Sequence, residues 1–169
     1  MSGEISEWEM PELPDITAIE LDALEVWVHQ GVRCVIRAGY CCLNGYARLP
    51  KSMRDWWANE DEAADVLEAH YSITYGPDED GFVGFDTAHH GDWWAADDLV
   101  GTIPEEGMML ANTFAKINSK GPYSRRWTRE RLHEEVELLA TQIAALAGEL
   151  DLMMDNLEDV KRNDAKEKS

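Results

Sequence analysis

Residues 70–94, HYSITYGPDEDGFVGFDTAHHGDWW, gather three of the five histidines of this 169-residue chain, and Asp86, His89, His90 and Asp92 fall within seven positions. Imidazole nitrogen and carboxylate oxygen are the donors that Zn²⁺, Mn²⁺ and Fe²⁺ accept. The expected ligand set for such a divalent metal is His70, Asp86, His89 and Asp92, with His90 as a catalytic proton carrier. A metal held there would lower the pKa of bound water, and a spare imidazole would move the proton. The corresponding activity is that of a small metal-dependent hydrolase acting on a phosphate ester or a nucleotide. The competing reading of the same residues is conformational. Asp86 and Asp92 accept backbone hydrogen bonds in a tight turn, and the histidines complete that network. The chain has no H-E-x-x-H, P-loop, dinucleotide fingerprint or G-x-S-x-G motif to favour an established chemistry.

The elements that must position these groups read as a hairpin. Residues 70–75 alternate toward a strand, Pro77-Asp78-Glu79-Asp80-Gly81 is dense in turn formers, and residues 82–86 form a second apolar run. His70, Thr74-Tyr75, Gly84-Phe85-Asp86, Ala88-His89 and Gly91-Asp92 resemble the core of a widespread set of uncharacterised phage and prophage proteins. That core reads HGG-x-TY, then GFD-x-AH-x-GD. Residues 44–50, NGYARLP, are similar to a preceding glycine- and proline-containing strand, so the resemblance spans about residues 39–94. Tyr71 and Ser72 stand where those proteins carry two glycines. The resemblance implies a viral or mobile-element origin and brings no catalytic assignment.

The formal net charge of −19 is arranged in blocks. Residues 1–32 hold eight acids and no Lys or Arg, residues 33–54 five bases and no acid, and residues 55–115 fifteen acids and no Lys or Arg. Residues 116–131 return six bases against one acid, and the remainder holds ten acids and four bases. Sequence-independent affinity for DNA comes from Lys and Arg neutralising phosphate, so direct nucleic-acid binding is disfavoured; a local patch of Arg125, Arg126, Arg129 and Arg131 is the exception to examine. The acidity suits either a salty cytoplasm or docking on a basic host or viral protein. No apolar run reaches the roughly 20 residues of a membrane span, and the acidic start lacks the pattern of a signal peptide. The expected location is the host cytoplasm. Cys34, Cys41 and Cys42 lack zinc-like spacing and read as free thiols.

Taken in order, residues 1–18 read as an acidic extended arm and residues 19–123 as an α+β globular domain. Strands are expected over Glu25–His29, Val32–Ala38 and residues 41–49, with Cys34 and Ile36 on one face and Arg33, Val35 and Arg37 on the other. Asn59 and Glu62 form a capping pattern that predicts a helix reaching about residue 69, with Trp56 and Trp57 just before it as core plugs. Residues 108–117 read as a further helix, closed by the break NSKGPY. Residues 124–162 carry the strongest pattern. Leu132, Val136, Leu139, Ile143, Leu146, Leu150, Met153, Leu157 and Val160 keep unbroken four-three spacing behind a Thr128 cap. At 1.5 Å per residue that helix is about 52 Å long, longer than a small domain is wide. Its first turns, broadened by Leu138 and Ala145, are expected on the body, and residues 150–160 to project and pair in a homodimer. Residues 163–169 read as a disordered tail. The fold class is therefore α+β: a small antiparallel sheet, one or two short helices and a long coiled-coil-like C-terminal helix. Two functions fit: a virus- or mobile-element-encoded acidic accessory protein acting by protein binding, or the hydrolase above.

Overall fold

A computed structural model of the chain describes residues 16–58 and 63–168. Its centre is an antiparallel four-stranded sheet of β1 (Glu25–His29), β2 (Val32–Ala38), β3 (Leu43–Arg48) and β4 (Phe82–Phe85), in sequence order. β1 and β2 are joined by Gln30-Gly31, both at positive φ, the two-residue turn whose twist matches antiparallel strands. Ile36, Gly45 and Phe85 lie opposite one another across three strands, as do Cys34, Ala47 and Val83, and both rows are buried. Val35 faces the other side and is equally buried, in a second small cluster with Ile19 and Phe82. The sheet thus carries apolar packing on both faces, where alternation alone predicts it on one.

The helices before the site differ from expectation. α1 (Lys51–Ala58) occupies the stretch that contains Trp56 and Trp57. The Pro50 carbonyl accepts from the amides of Met53 and Arg54, and Met53 is fully buried, which sets the first turn. Asn59 and Glu62 lie outside the described residues, and the expected helix to residue 69 is reduced to a 3₁₀ turn, Ala63–Val66. The reason is on the far side: Glu68 donates its amide to Gln142 Oε1 and accepts at its carbonyl from Gln142 Nε2. With Leu67 and His70 both buried, the chain is laid across the long helix instead of coiling.

Residues 70–75 form one bridge, Tyr75 to Gly84, where a full strand is expected. Tyr71 sits at φ +66, which ends extended pairing there. The turn itself forms as read, with Asp78 Oδ1 accepting from the amides of Asp80 and Phe82. Then follow β5 (Asp92–Trp94), α2 (Ala96–Leu99), α3 (Glu105–Asn118) and β6 (Arg125–Trp127); β5 and β6 pair in parallel as a separate ribbon.

α4 (Arg129–Glu167) runs 39 residues, about 58 Å at 1.5 Å per residue, and continues past residue 162. Thr128 caps it, its hydroxyl accepting from the Arg131 amide. Leu132, Val136, Leu139 and Ile143 are buried completely against the sheet. Gly45 permits that approach, since a Cβ there would stand 2.4 Å from Val136 Cγ2. β1 is pinned by Trp27, which stacks on His133 at 3.9 Å and donates to Glu137. Leu138 and Ala145 are exposed, so they do not widen the face on the body. Beyond Leu150 the stripe is uncovered: Met153, Leu157 and Val160 are 61%, 53% and 58% exposed. Among the described residues no helix is long and apolar enough to cross a membrane. All three cysteines are free. Burial pushes the Cys34 thiol up to about 12, and a hydrogen bond with Cys42 draws the half-buried Cys41 down to about 7.

Candidate functional site

The site is built where β5 begins. Asp86 closes β4 with a turn of its own, Oδ1 accepting from the Ala88 amide and Oδ2 from the Thr74 hydroxyl. A second turn follows, in which the His89 carbonyl accepts from the Asp92 amide. Gly91 makes it possible at φ +90, because a Cβ there would stand 2.2 Å from the Tyr123 carbonyl oxygen. The Gly91 carbonyl accepts from the Arg125 amide, which sets the register Asp92 to Arg125 between the two short strands. Arg125 and Trp127, two apart on β6, then share a face and bracket His70.

Asp92 is the hub, 2% exposed. Its Oδ2 accepts from His70 Nε2 at 2.7 Å and from the His89 amide at 2.9 Å, its Oδ1 accepts from Trp127 Nε1 at 2.9 Å, and its carbonyl accepts from Asn118 Nδ2 at 2.7 Å. Arg125 Nη1 meets the other ring nitrogen of His70, Nδ1. A guanidinium has no lone pair to offer, so Nδ1 accepts and Nε2 carries the proton that is donated to Asp92. Burial pushes the Asp92 carboxyl up. The hydrogen bonds from His70, Trp127 and the His89 amide, with the adjacent imidazole, more than reverse this, leaving it below the ordinary carboxylate value.

Of the five residues singled out in the sequence, three converge: His70, His89 and Asp92 offer ligand-type atoms all within 4.8 Å of one another. Asp86 touches the group through His89, its Oδ1 standing 3.4 Å from His89 Nδ1, and is otherwise committed to its turn. His90 is exposed and its ring lies against Tyr123, at 6.2 Å between centroids, with its carbonyl taken by the Tyr71 hydroxyl. The His89 ring stacks on Tyr71 at 4.3 Å, and its Nδ1 is buried without a hydrogen bond, 3.5 Å from Asp92 Oδ2.

His70, His89 and Asp92 form a group that could hold a metal ion, and His89 Nδ1 within it is buried without a hydrogen-bond partner. Both nitrogens of His70 are engaged, one of them by a cation, so a metal would have to displace the Nε2 proton and sit near the Arg125 charge. The same geometry also serves a conformational role: the buried Asp92 carboxylate gathers donors from three segments, and its carbonyl takes a fourth from Asn118. Elemental analysis of protein purified without added metal separates the two roles: a stoichiometric zinc, manganese or iron supports the hydrolase reading, and well under one equivalent supports the conformational one.

Arg125, Trp127 and Asn118 were not legible as partners, since each lies 26 or more residues from the group it meets. The arginine patch is also dispersed. Arg126 pairs with Asp98, Arg129 with Glu25, and Arg131 donates to the Arg126 carbonyl while lying over the Trp127 ring. The paired tryptophans act as core and ribbon groups: Trp94 is buried and donates to Thr87, Trp57 packs on the core, and Trp93 donates to Ser124. No family model, curated protein or solved structure matches the chain.

Proposed function

We propose that this chain is a virus- or mobile-element-encoded acidic accessory protein that acts in the host cytoplasm by protein binding and is assembled as a homodimer through α4. The observation that carries the reading is the uncovered half of α4, where Leu152, Met153, Met154, Leu157 and Val160 are each more than half exposed. Burying such a side chain stabilises by about 1.5 to 3 kcal/mol, or roughly 100 Å² apiece at about 25 cal/mol per Å². Without Leu152, which lies on the opposite side of the helix from the stripe, two copies would bury on the order of 800 Å² in all, the size of a weak interface. The stripe continues the four-three spacing of the buried half, so a second copy of the same helix is its natural complement. The acidic body would remain outside that contact, with its charge suited to a basic host or viral protein.

At tens of micromolar, light scattering is expected to report about twice the chain mass of 19.1 kDa. Leu150→Asp with Leu157→Asp should give a monomer. Because Leu150 also touches the core, Leu157→Asp with Val160→Asp is the cleaner variant, expected to dissociate with its thermal unfolding unchanged. An intact chain that scatters as a monomer would defeat the proposal.

A further inference from the structure

The Asp92 network ends in a cation. Asp92 holds the proton of His70 on Nε2, which leaves Nδ1 to accept from Arg125 Nη1. Arg125 is the one described arginine held by an imidazole in place of an oxygen: Arg33, Arg126 and Arg129 pair with carboxylates, and Arg37, Arg48 and Arg54 donate to main-chain carbonyls. A guanidinium carries five N–H groups, of which His70 takes one while bringing no negative charge. Among the described residues no carboxylate pairs with Arg125, so most of its donors are held in place and left over.

Arg125 lines two clefts. The larger, of about 690 Å³, also has Glu68 and Glu135 in its wall and suits positive charge. The smaller, of about 300 Å³, is lined by Tyr71, His90, Tyr123 and Ser124 beside Arg125, and it presents donors. Ser124 Oγ accepts from Trp93 Nε1 and keeps its own proton to give, and the Tyr123 side chain is 74% exposed. Asp92 also reaches this cleft, but both its oxygens are taken by N–H donors and it is 2% exposed, so no free carboxylate opposes an anion there. Residues 116–131, which supply most of the wall, hold six bases against one acid on a chain of net charge −19. Tyr71 has His89 on one face of its ring and is 60% exposed, so Tyr71 and Tyr123 offer aromatic surface at the same place. Arginine and two hydroxyls around one opening match the three terminal oxygens of a phosphate monoester better than the two of a carboxylate.

We infer that the smaller cleft binds a phosphate monoester carried on a flat ring, with its oxygens on Arg125, Ser124 and Tyr123 and its ring against the tyrosines. The site lies apart from residues 150–160 of α4 and does not depend on the dimer. Titration calorimetry of the full chain with phenyl phosphate and with AMP tests it. At least one of the two is expected to saturate with a Kd of about 1 mM or tighter, and the Arg125 Nε–H resonance should move over the same concentration range. Tighter binding of AMP would identify a nucleotide as the source of the group, and tighter binding of phenyl phosphate a phosphorylated side chain. Arg125→Gln, which keeps an N–H for His70, should weaken binding by about tenfold or more. Tyr123→Phe changes only an exposed hydroxyl and should weaken it by about threefold with thermal unfolding unchanged, which keeps the test intact if Arg125→Gln loses the fold. Saturation by neither ester, or wild-type affinity in the folded variants, would overturn the site, and benzoate bound as tightly as phenyl phosphate would overturn the assignment to phosphate.

Discussion

Asp92→Ala is expected to destabilise the body by about 3 to 5 kcal/mol, the range for removing one partner of a buried charged network. The side chain is 2% exposed, and its loss leaves His70 Nε2, the His89 amide and Trp127 Nε1 without their acceptor. Each buried group so orphaned costs about 1 to 3 kcal/mol. Against a typical domain stability of about 5 to 15 kcal/mol this is a large fraction, and thermal or urea unfolding would measure it. His89→Ala provides the contrast. It removes a stacked ring whose Nδ1 makes no hydrogen bond, so it should cost less than about 1.5 kcal/mol. Equal, small losses at both positions would contradict the hub. The acid dependence follows from the same carboxylate. Its folded pKa is depressed below the ordinary 3.8, so its contribution is present above that value and is lost as pH falls through the depressed one. The Asp92→Ala variant should therefore show a flatter loss of stability below about pH 4 than the wild type.

Gly107→Ala should be the other severe change, and its sign runs against helix propensity. Within a helix the substitution ordinarily stabilises by up to about 1 kcal/mol. Gly107, in the first turn of α3, packs so closely on the loop at residues 39–42 that a Cβ would stand 1.6 Å from the Tyr40 carbonyl oxygen and 2.7 Å from its carbon. Neither atom is the end of a flexible side chain, and the loop is tied by the Gly39 amide donating to the Cys42 carbonyl at 2.7 Å. Overpacking of that kind costs about 3 kcal/mol, which exceeds the propensity gain. At about 2 to 4 °C per kcal/mol for a chain of this size, the midpoint of thermal unfolding should drop by several degrees. A midpoint unchanged or raised would show that α3 can slide off the loop.

The parts of this fold that could be read from the chain are those whose cause is local. Glu25–His29 and Val32–Ala38 form strands with those bounds because two positive-φ residues separate two alternating runs. Thr128 caps α4, and the period of its stripe continues without interruption. The convergence of His70, His89 and Asp92 was legible for the same reason, two of them lying in one turn and the third at the foot of a hairpin. What escaped was set at a distance. Over residues 63–69 the helix signal gives way to Gln142, 74 residues from Glu68. The three-residue strands β5 and β6 are too short to carry a period, and their parallel pairing places Arg125 against His70 across 55 residues. With His70 Nδ1 turned to that guanidinium, its Nε2 is the nitrogen left for Asp92.

The long reach of the Asp92 hub has a consequence for rates. Its bonds close loops of 22, 26 and 35 residues, to His70, Asn118 and Trp127. Loop closure must precede any return from such contacts, whereas α4 and the β1–β2 hairpin gain theirs from near neighbours. The hub is therefore expected to lock after the folding barrier has been crossed, so that weakening it leaves the rate of folding nearly unchanged and its whole effect falls on the rate of unfolding. Asp92 then governs how long each folded molecule persists before it opens, and the half-life of the native state is set at a residue that takes little part in how quickly that state is reached.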